Sequence, residues 1–278
     1  MPELPEVETS CQGIRPYLEG QKIVDVIVRN PKLRWPIPAD LSQILVGQTI
    51  QSIHRRAKYL LFQCDHGILI MHLGMSGSLR IVDKSAELGK HDHVDICVDN
   101  GTILRFTDPR RFGAILWTEQ AIDQHNLFHH LGPEPLSTQF DSKYLLQKLS
   151  GRRISIKTAI MDGKIVVGVG NIYANEALFL AGIHPKTVAK NLTKSQSLQL
   201  VNTIQQVLKK AIAAGGTTLK DFRKSDGKPG YFAQQLQVYG RENEACLNCD
   251  SVIQHYKESQ RATYYCPQCQ IISCENEL

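Results

Sequence analysis

Four cysteines near the C-terminus restrict this chain more tightly than any other feature. They fall as two Cys-x2-Cys pairs, Cys246 with Cys249 and Cys266 with Cys269, with sixteen residues between the pairs. Two such knuckles at this separation can place four thiolates around one tetrahedral ion, and zinc is the metal that donor set takes. Two disulfides are the competing arrangement, and they belong to oxidising compartments. A four-thiolate site has no open position, so its role is structural. It would order a β-hairpin between the knuckles, from Ile253 to Tyr265, carrying Gln260-Arg261-Ala262-Thr263. An arginine at the tip of such a hairpin can hold a phosphate through two parallel hydrogen bonds. Cys274 lies outside the spacing, and Cys11, Cys64 and Cys97 are scattered in apolar contexts as buried thiols.

The charge distribution says what kind of partner to expect. Residues 1–150 hold 16 Lys and Arg against 17 Asp and Glu, and residues 151–240 hold 13 against 4. A block with a net charge of +9 suits a polyanion, with nucleic acid first; a solubilising lysine face is the alternative. The 278 residues contain no run of eighteen apolar residues and no basic-then-apolar leader. The expectation is an intracellular, cytoplasmic chain with no membrane contact, and a monomer.

Hydrophobic periodicity changes once along the chain. Residues 6–18 read as a helix closed by Gly20, and from Gln21 to about Trp117 the period is two. Val24, Val26 and Val28 alternate, Tyr59–Phe62 and Ile68–Met71 flank Asp65-His66-Gly67, and Val94–Val98 and Thr102–Phe106 flank Asp99-Asn100-Gly101. Short strands at this spacing predict an antiparallel sandwich or flattened barrel. Gly132-Pro133-Glu134-Pro135 breaks the pattern, and helices follow over 143–149, over 174–181, and after Thr193-Lys194-Ser195-Gln196, which has the form of a capping box. The polar, glycine-rich stretch 217–241 is long enough to suggest a working loop.

The first residues, Met1-Pro2-Glu3-Leu4-Pro5-Glu6-Val7-Glu8, crowd two prolines and three carboxylates together. Read locally, this is a solvated terminus with a proline-started helix. Removal of Met1 would leave Pro2 as a secondary amine. With a pKa of roughly 7.7–8 for an α-amino group, such an amine is partly unprotonated near neutrality and attacks carbon electrophiles. Glu3 then stands beside it as an acid/base group.

Three further motifs carry chemistry. Gly168-Val169-Gly170-Asn171 precedes a helix start, with Arg152, Arg153 and Lys157 upstream; it fits helix–turn–helix contact with a phosphodiester backbone or a tight helix–helix turn. His72-Leu73-Gly74-Met75-Ser76-Gly77 pairs with Asp108-Pro109-Arg110-Arg111-Phe112-Gly113. Met75 and Phe112 read either as core residues or, with Arg110, as wedges that fill the gap left by a base leaving a duplex. His91-Asp92-His93 lacks a fourth ligand for a second metal, so His91 reads as a hydrogen-bonding or phosphate contact. Lys58 reads as a lysine beside a buried strand.

Taken in order, these motifs resemble the bacterial formamidopyrimidine-DNA glycosylases, over nearly the whole chain. The resemblance runs through Pro2–Thr9, Arg55–Tyr59, His72–Gly77, Thr107–Gly113, Gly168–Tyr173, Gly216–Phe222 and the four cysteines. It implies an α+β multidomain fold: an N-terminal antiparallel β-sandwich with a catalytic N-terminal helix (1–133), a helix–two-turn–helix DNA-binding domain with a lesion-recognition loop at 217–240 (134–240), and a β-hairpin zinc finger (241–278). It implies a bifunctional glycosylase and abasic-site lyase that removes oxidised purines from double-stranded DNA, with one structural Zn2+ on Cys246, Cys249, Cys266 and Cys269. Pro2 would be the nucleophile and Glu3 its acid/base partner. Glu6 would help hold the terminus, and Lys58 would donate a proton in strand cleavage or contact a phosphate. Arg261 and Asn171 would grip phosphates at the lesion. His91, Arg110 and Arg152 would bind DNA, and Met75, Arg110 and Phe112 would fill the void left by the flipped base.

Two other functions fit parts of the pattern: a sister glycosylase for oxidised pyrimidines and a zinc-finger DNA-binding protein without activity. The Met75 and Arg110–Phe112 motifs favour the purine enzyme; the Pro2-Glu3 start and Lys58 disfavour an inactive binder. The chain departs from the family pattern at Asp250, often glycine, at Gly151, which can be lysine, and at Ser76, which is acidic in some relatives.

Overall fold

The computed structural model describes residues 1–217 and 235–272. Among these the chain forms two compact units, one of residues 1–129 and 211–217, the other of 130–210 and 235–272.

The first unit is organised by its opening helix, α1 (Leu4–Leu18). Pro5 sits in the first turn, where its missing N–H is not needed, and Glu3 occupies the N-cap. Leu4, Val7, Cys11, Ile14 and Leu18 recur at helical spacing and are all buried. That stripe faces two four-stranded antiparallel sheets, of order β1-β6-β7-β5 and β2-β3-β4-β8. In chain order the strands are β1 (Ile23–Val28), β2 (Ile50–Arg56), β3 (Tyr59–Cys64), β4 (Ile68–His72), β5 (Ser78–Val82), β6 (Asp92–Val98), β7 (Ile103–Thr107) and β8 (Ala114–Thr118). One apolar core joins the two sheets and α1, from Ile23 and Ile53 through Phe62 and Met71 to Phe106 and Ile115. The five-residue α2 (Leu41–Leu45) packs on β1.

The expected alternation fails at Val24. Val24 is 49% exposed, whereas Ile23 and Val26 are buried. The pairing of β1 with β6 shifts between Ile23 and Asp25, and the extra residue turns Val24 outward. Cys11 and Cys64 are buried as expected, and Cys97 is only partly so.

The second unit contains α3 (Ser142–Leu149), the short α4 (Ile156–Ile160), α5 (Asn171–Leu180) and most of α6 (Lys194–Ala213). The capping box at α6 forms in both directions: Thr193 N–H donates to Gln196 Oε1 at 3.0 Å and Gln196 N–H to Thr193 Oγ1 at 3.2 Å. Helix α5 starts at Asn171, ahead of the expected Ala174; its residues are buried almost throughout and show little of the periodicity that marks a surface helix. A two-stranded hairpin, β9 (Gln254–Glu258) and β10 (Arg261–Tyr265), completes this unit. No helix among the described residues is long and apolar enough to cross a membrane.

Candidate active site and nucleic-acid interface

The terminus expected to act is buried and fixed. Pro2 and Glu3 are buried, while Met1 is 46% exposed. Glu6 sets this geometry. Its Oε2 accepts the Glu3 N–H at 2.8 Å, and its Oε1 accepts the Thr217 N–H at 2.8 Å. Gly216 (φ +81°) precedes that contact, and a Cβ there would stand 3.2 Å from the Glu6 side chain. A glycine therefore suits both the backbone angle and the close approach.

The same helix reaches the turn that carries Lys58. Glu8 Oε2 accepts from Arg55 Nε at 2.8 Å, and Arg55 donates from its Nη1 to the Ala57 carbonyl at 2.9 Å. Ala57 is left-handed (φ +54°) in the two-residue turn between β2 and β3, and half-buried Lys58 follows it. His72, at the end of β4, has its ring 4.7 Å from that of Tyr59. Burial, reinforced by the charges of Arg34 and Lys58, pushes the His72 pKa down to about 4. Its Nδ1 accepts the Gly74 N–H at 3.0 Å, as a neutral ring can.

The loops at 72–77 and 108–113 form one structure, with Asp108 as its hub. Fully buried Asp108 accepts from Ser76 Oγ at 2.7 Å and from the Gly113 N–H at 2.8 Å. Its own N–H donates to the His91 carbonyl at 3.0 Å, and its carbonyl lies 2.8 Å from His93 Nε2. Ser76 also accepts the Arg110 N–H at 3.1 Å, so the residue that departs from the family pattern joins the two loops. A Cβ on Gly74 would fall 2.3 Å from the Phe112 carbonyl carbon, which shows how closely the backbones approach. Phe112 is 45% exposed, Met75 is half-buried, and the Arg110 guanidinium lies 5.1 Å from the centre of the Phe112 ring. Neither apolar side chain is a core residue. The structure thus gathers His91, Arg110, Met75 and Phe112 around Asp108 and Ser76, a role for those two that their local sequence does not signal.

Some of this unit's carboxylates are buried and paired with arginines. Buried Asp95 pairs with Arg105 at 2.9 Å and Arg29 at 2.6 Å; buried Asp92 pairs with Arg80 at 3.1 Å.

In the second unit, two side chains support the hairpin tip. Lys157, 2% exposed, donates to Thr263 Oγ1 at 2.6 Å and to the Ala262 carbonyl at 3.1 Å. Asn171 Nδ2 donates to the same carbonyl at 3.0 Å. Between the strands Ser259 (φ +47°) and Gln260 (φ +61°) form a two-residue turn of the kind that follows strand twist, and Arg261 next to it is exposed. A cleft of about 300 Å³ lies beside Arg261, walled by Lys157, Asp162 and Glu258 among others. Arg152 turns back onto its own helix end, with Nε donating to the Lys148 carbonyl at 2.8 Å and Nη1 3.8 Å from Asp162. Glu176 was not singled out by the sequence. It is 2% exposed and accepts three successive N–H groups, of Gln237, Val238 and Tyr239, at 2.9–3.0 Å. Burial pushes its carboxyl pKa up, against those three donors. Most of the loop expected at 217–240 lies outside the described residues, as does Cys274.

The four cysteines converge. Their sulfurs lie within 4.8 Å of one another, with pairs at 3.4, 3.5 and 3.9 Å. A tetrahedral zinc with Zn–S bonds of about 2.3 Å needs sulfurs about 3.8 Å apart, so the thiolates fit one structural zinc. Asp250, the departure in the first knuckle, takes φ +59°, a conformation asparagine and aspartate accept more readily than most residues. The knuckle therefore keeps a glycine-like turn without glycine.

A sandwich headed by a buried proline–glutamate terminus, a helical unit and a four-thiolate hairpin together define a class of zinc-finger DNA-repair proteins. The formamidopyrimidine-DNA glycosylase N-terminal domain matches residues 1–115, the H2TH domain of the same enzymes matches 131–223, and the zinc finger found in FPG and IleRS matches 243–271. Among curated relatives, the formamidopyrimidine-DNA glycosylase of Hydrogenovibrio crunogenus is 56% identical over 97% of this chain and 96% of its own length. That of Escherichia coli is 55% identical over 97% and 100%. Solved structures agree. A variant of Lactococcus lactis FPG in complex with Fapy-dG-containing DNA superposes with TM-score 0.89 at 36% identity, over 97% of this chain and 100% of that one. Thermus thermophilus MutM (FPG) gives 0.87 at 35%, over 98% and 100%. The chain belongs to the formamidopyrimidine-DNA glycosylase family.

Proposed function

We propose that this chain is a bifunctional DNA glycosylase and abasic-site lyase of base excision repair, acting on oxidised purines in duplex DNA. One observation carries the reading: Pro2 and Glu3 are buried at the head of a helix that Glu6 locks in place and that Glu8, through Arg55, ties to the Lys58 turn. A terminus in a merely structural role has no need of that fixation. The working parts are 1–133 for chemistry, 134–240 for DNA binding and lesion recognition, and 241–278 for the zinc finger.

After removal of Met1, the lone pair of the Pro2 nitrogen attacks C1′ of the damaged nucleotide. The glycosidic bond breaks, and the base leaves with its electron pair and a proton. Glu3 donates a proton to the sugar ring oxygen as the ring opens to an iminium. The iminium acidifies the C2′ proton; its loss expels the 3′ phosphate, and a second elimination expels the 5′ phosphate. Lys58 protonates a departing group or holds a phosphate. Arg261 and Asn171 hold backbone phosphates at the lesion, with His91, Arg110 and Arg152 as further DNA contacts. Flipping the nucleotide costs a few kcal/mol, least for a damaged pair. Met75, Arg110 and Phe112 offset part of this by occupying the gap. The zinc orders the hairpin that presents Arg261. The purine preference rests on the Met75 and Arg110–Phe112 loops.

Borohydride trapping on a duplex with one 8-oxoguanine opposite cytosine tests the reading. A covalent protein–DNA adduct is expected from the intact protein and none from a Pro2→Gly/Glu3→Gln double variant. Absence of adduct from the intact protein, on a duplex it demonstrably binds, would overturn it.

A further inference from the structure

A short loop before α2 presents an arginine for which the mechanism above has no use. Residues 32–36 form a tight excursion closed by the Lys32–Pro36 bridge, with the Ile37 N–H donating to the Pro31 carbonyl at 2.9 Å and the Lys32 N–H to Asn30 Oδ1 at 3.0 Å. Leu33 is partly buried against the sandwich core and fixes the loop from below. At the tip, exposed Arg34 lies over the ring of half-buried Trp35, 4.8 Å from its centre. The Arg34 N–H donates to the Gly113 carbonyl at 3.0 Å, which joins this loop to the one bearing Arg110 and Phe112.

The state of its charge distinguishes Arg34. Arg29, Arg55, Arg80 and Arg105 each meet a carboxylate within 4.0 Å, whereas Arg34 makes no such contact among the described residues. It shares with Arg110 a different arrangement, a guanidinium resting on an exposed or half-exposed ring. Stacking of this kind orders the side chain without neutralising it, so little entropy is lost when an anion arrives. The Arg34 charge reaches Tyr59, where it opposes the rise that burial causes, and His72, where it adds to the fall that burial and Lys58 cause; the loop therefore borders the Lys58 corner. We propose that the Arg34–Trp35 tip is a further phosphate contact for duplex DNA, an extension of the Lys58 and Arg110 surface. This rests on the functional reading above and adds a subsite to it.

The bond to Gly113 is made by backbone, so truncating the side chain isolates the guanidinium. Binding of the zinc-loaded full-length protein to a duplex carrying a non-cleavable abasic analogue would be followed across a salt series. Arg34→Gln should lower the magnitude of the log–log salt slope by about 0.9, the value for one phosphate on B-form DNA. It should also weaken binding about fivefold at low salt, on lesion and undamaged duplex alike. Arg34→Lys should restore the slope, because the slope counts charge. Trp35→Ala should keep the slope and weaken binding, through loss of the stacked arrangement. An Arg34→Gln protein with wild-type slope and affinity would overturn the proposal. Failure of the enzymatic reading appears separately, as a wild-type protein that binds this duplex and gives no borohydride adduct.

Discussion

Glu6 and Thr217 stand 211 positions apart in the sequence, yet the Glu6 carboxylate accepts the Thr217 N–H at 2.8 Å. The other oxygen of that carboxylate holds the Glu3 N–H. One buried side chain thus fixes the first turn of α1 and the chain leaving α6. Glu6→Ala should strand two buried donors at about 1–3 kcal/mol each and lower the melting temperature accordingly. Glu6→Gln should recover only part of this, because its amide turns a donor toward one of the two N–H groups. In both variants adduct formation should fall more than DNA affinity. Equal stability of Glu6→Ala and wild type in urea titration would contradict the assignment.

Glu8→Gln probes the link to Lys58. The Glu8 and Arg55 side chains are 16% and 9% exposed, so the pair is largely shielded from solvent. Arg55 keeps its bond to the Ala57 carbonyl but meets a neutral amide oxygen on α1 in place of a carboxylate, which weakens the anchor. Single-turnover strand cleavage should slow severalfold while the Kd for an abasic-analogue duplex stays within about twofold of wild type, a difference under about 0.5 kcal/mol. A parallel change in both quantities would mean that the pair acts on binding alone.

His72 predicts an acid limb in the stability profile. Its folded pKa of about 4 lies below the ordinary histidine value of 6.5. The fold therefore favours the neutral ring. The stability this gives is complete above pH ~6.5 and is lost as pH falls from there to about 4, after which the loss levels off. The ceiling is about 3 kcal/mol, at roughly 1.4 kcal/mol per pKa unit. Thermal melts should show a stability loss of wild type over this range that His72→Phe lacks, so that the difference between the two curves changes with pH. Parallel curves would show that other groups carry the acid loss.

Cys266→Ser removes one of the four zinc ligands at a fully buried position. The purified variant should contain less than one equivalent of zinc by atomic emission, and its affinity for duplex DNA should fall at least tenfold, about 1.4 kcal/mol. A chelator that strips zinc from the wild-type protein should have the same effect. Full affinity in metal-free protein would remove the zinc from any part in presenting Arg261.

What could be read from the sequence was whatever is encoded over a few neighbouring residues. The thiolate spacing, the Thr193–Gln196 box and the Asp99-Asn100-Gly101 turn are complete signals within short windows, and each appears in the structure. Val24 points outward because its orientation depends on pairing with β6, which no local pattern reports. The five residues of α4 are too few to show a helical period, and α5 is buried on too many sides to show one. The roles of Asp108 and Glu176 are not legible in the sequence for a related reason. Each serves backbone groups from distant segments, and an acidic residue in sequence looks the same whether it meets solvent or three N–H groups.

The close approach of Gly74 to Phe112 has a genetic consequence. A side chain at 74 would collide with the Phe112 carbonyl carbon at 2.3 Å, and the left-handed backbone there (φ +64°) leaves it no room to turn aside. A screen for mutants that have lost the wedge role proposed for Phe112 would therefore also return substitutions at 74, with Phe112 itself intact. The two positions would behave as one locus of phenotype, and suppressors of a Gly74 change should map to residues 108–113, the loop it pushes away, before they map anywhere near Pro2.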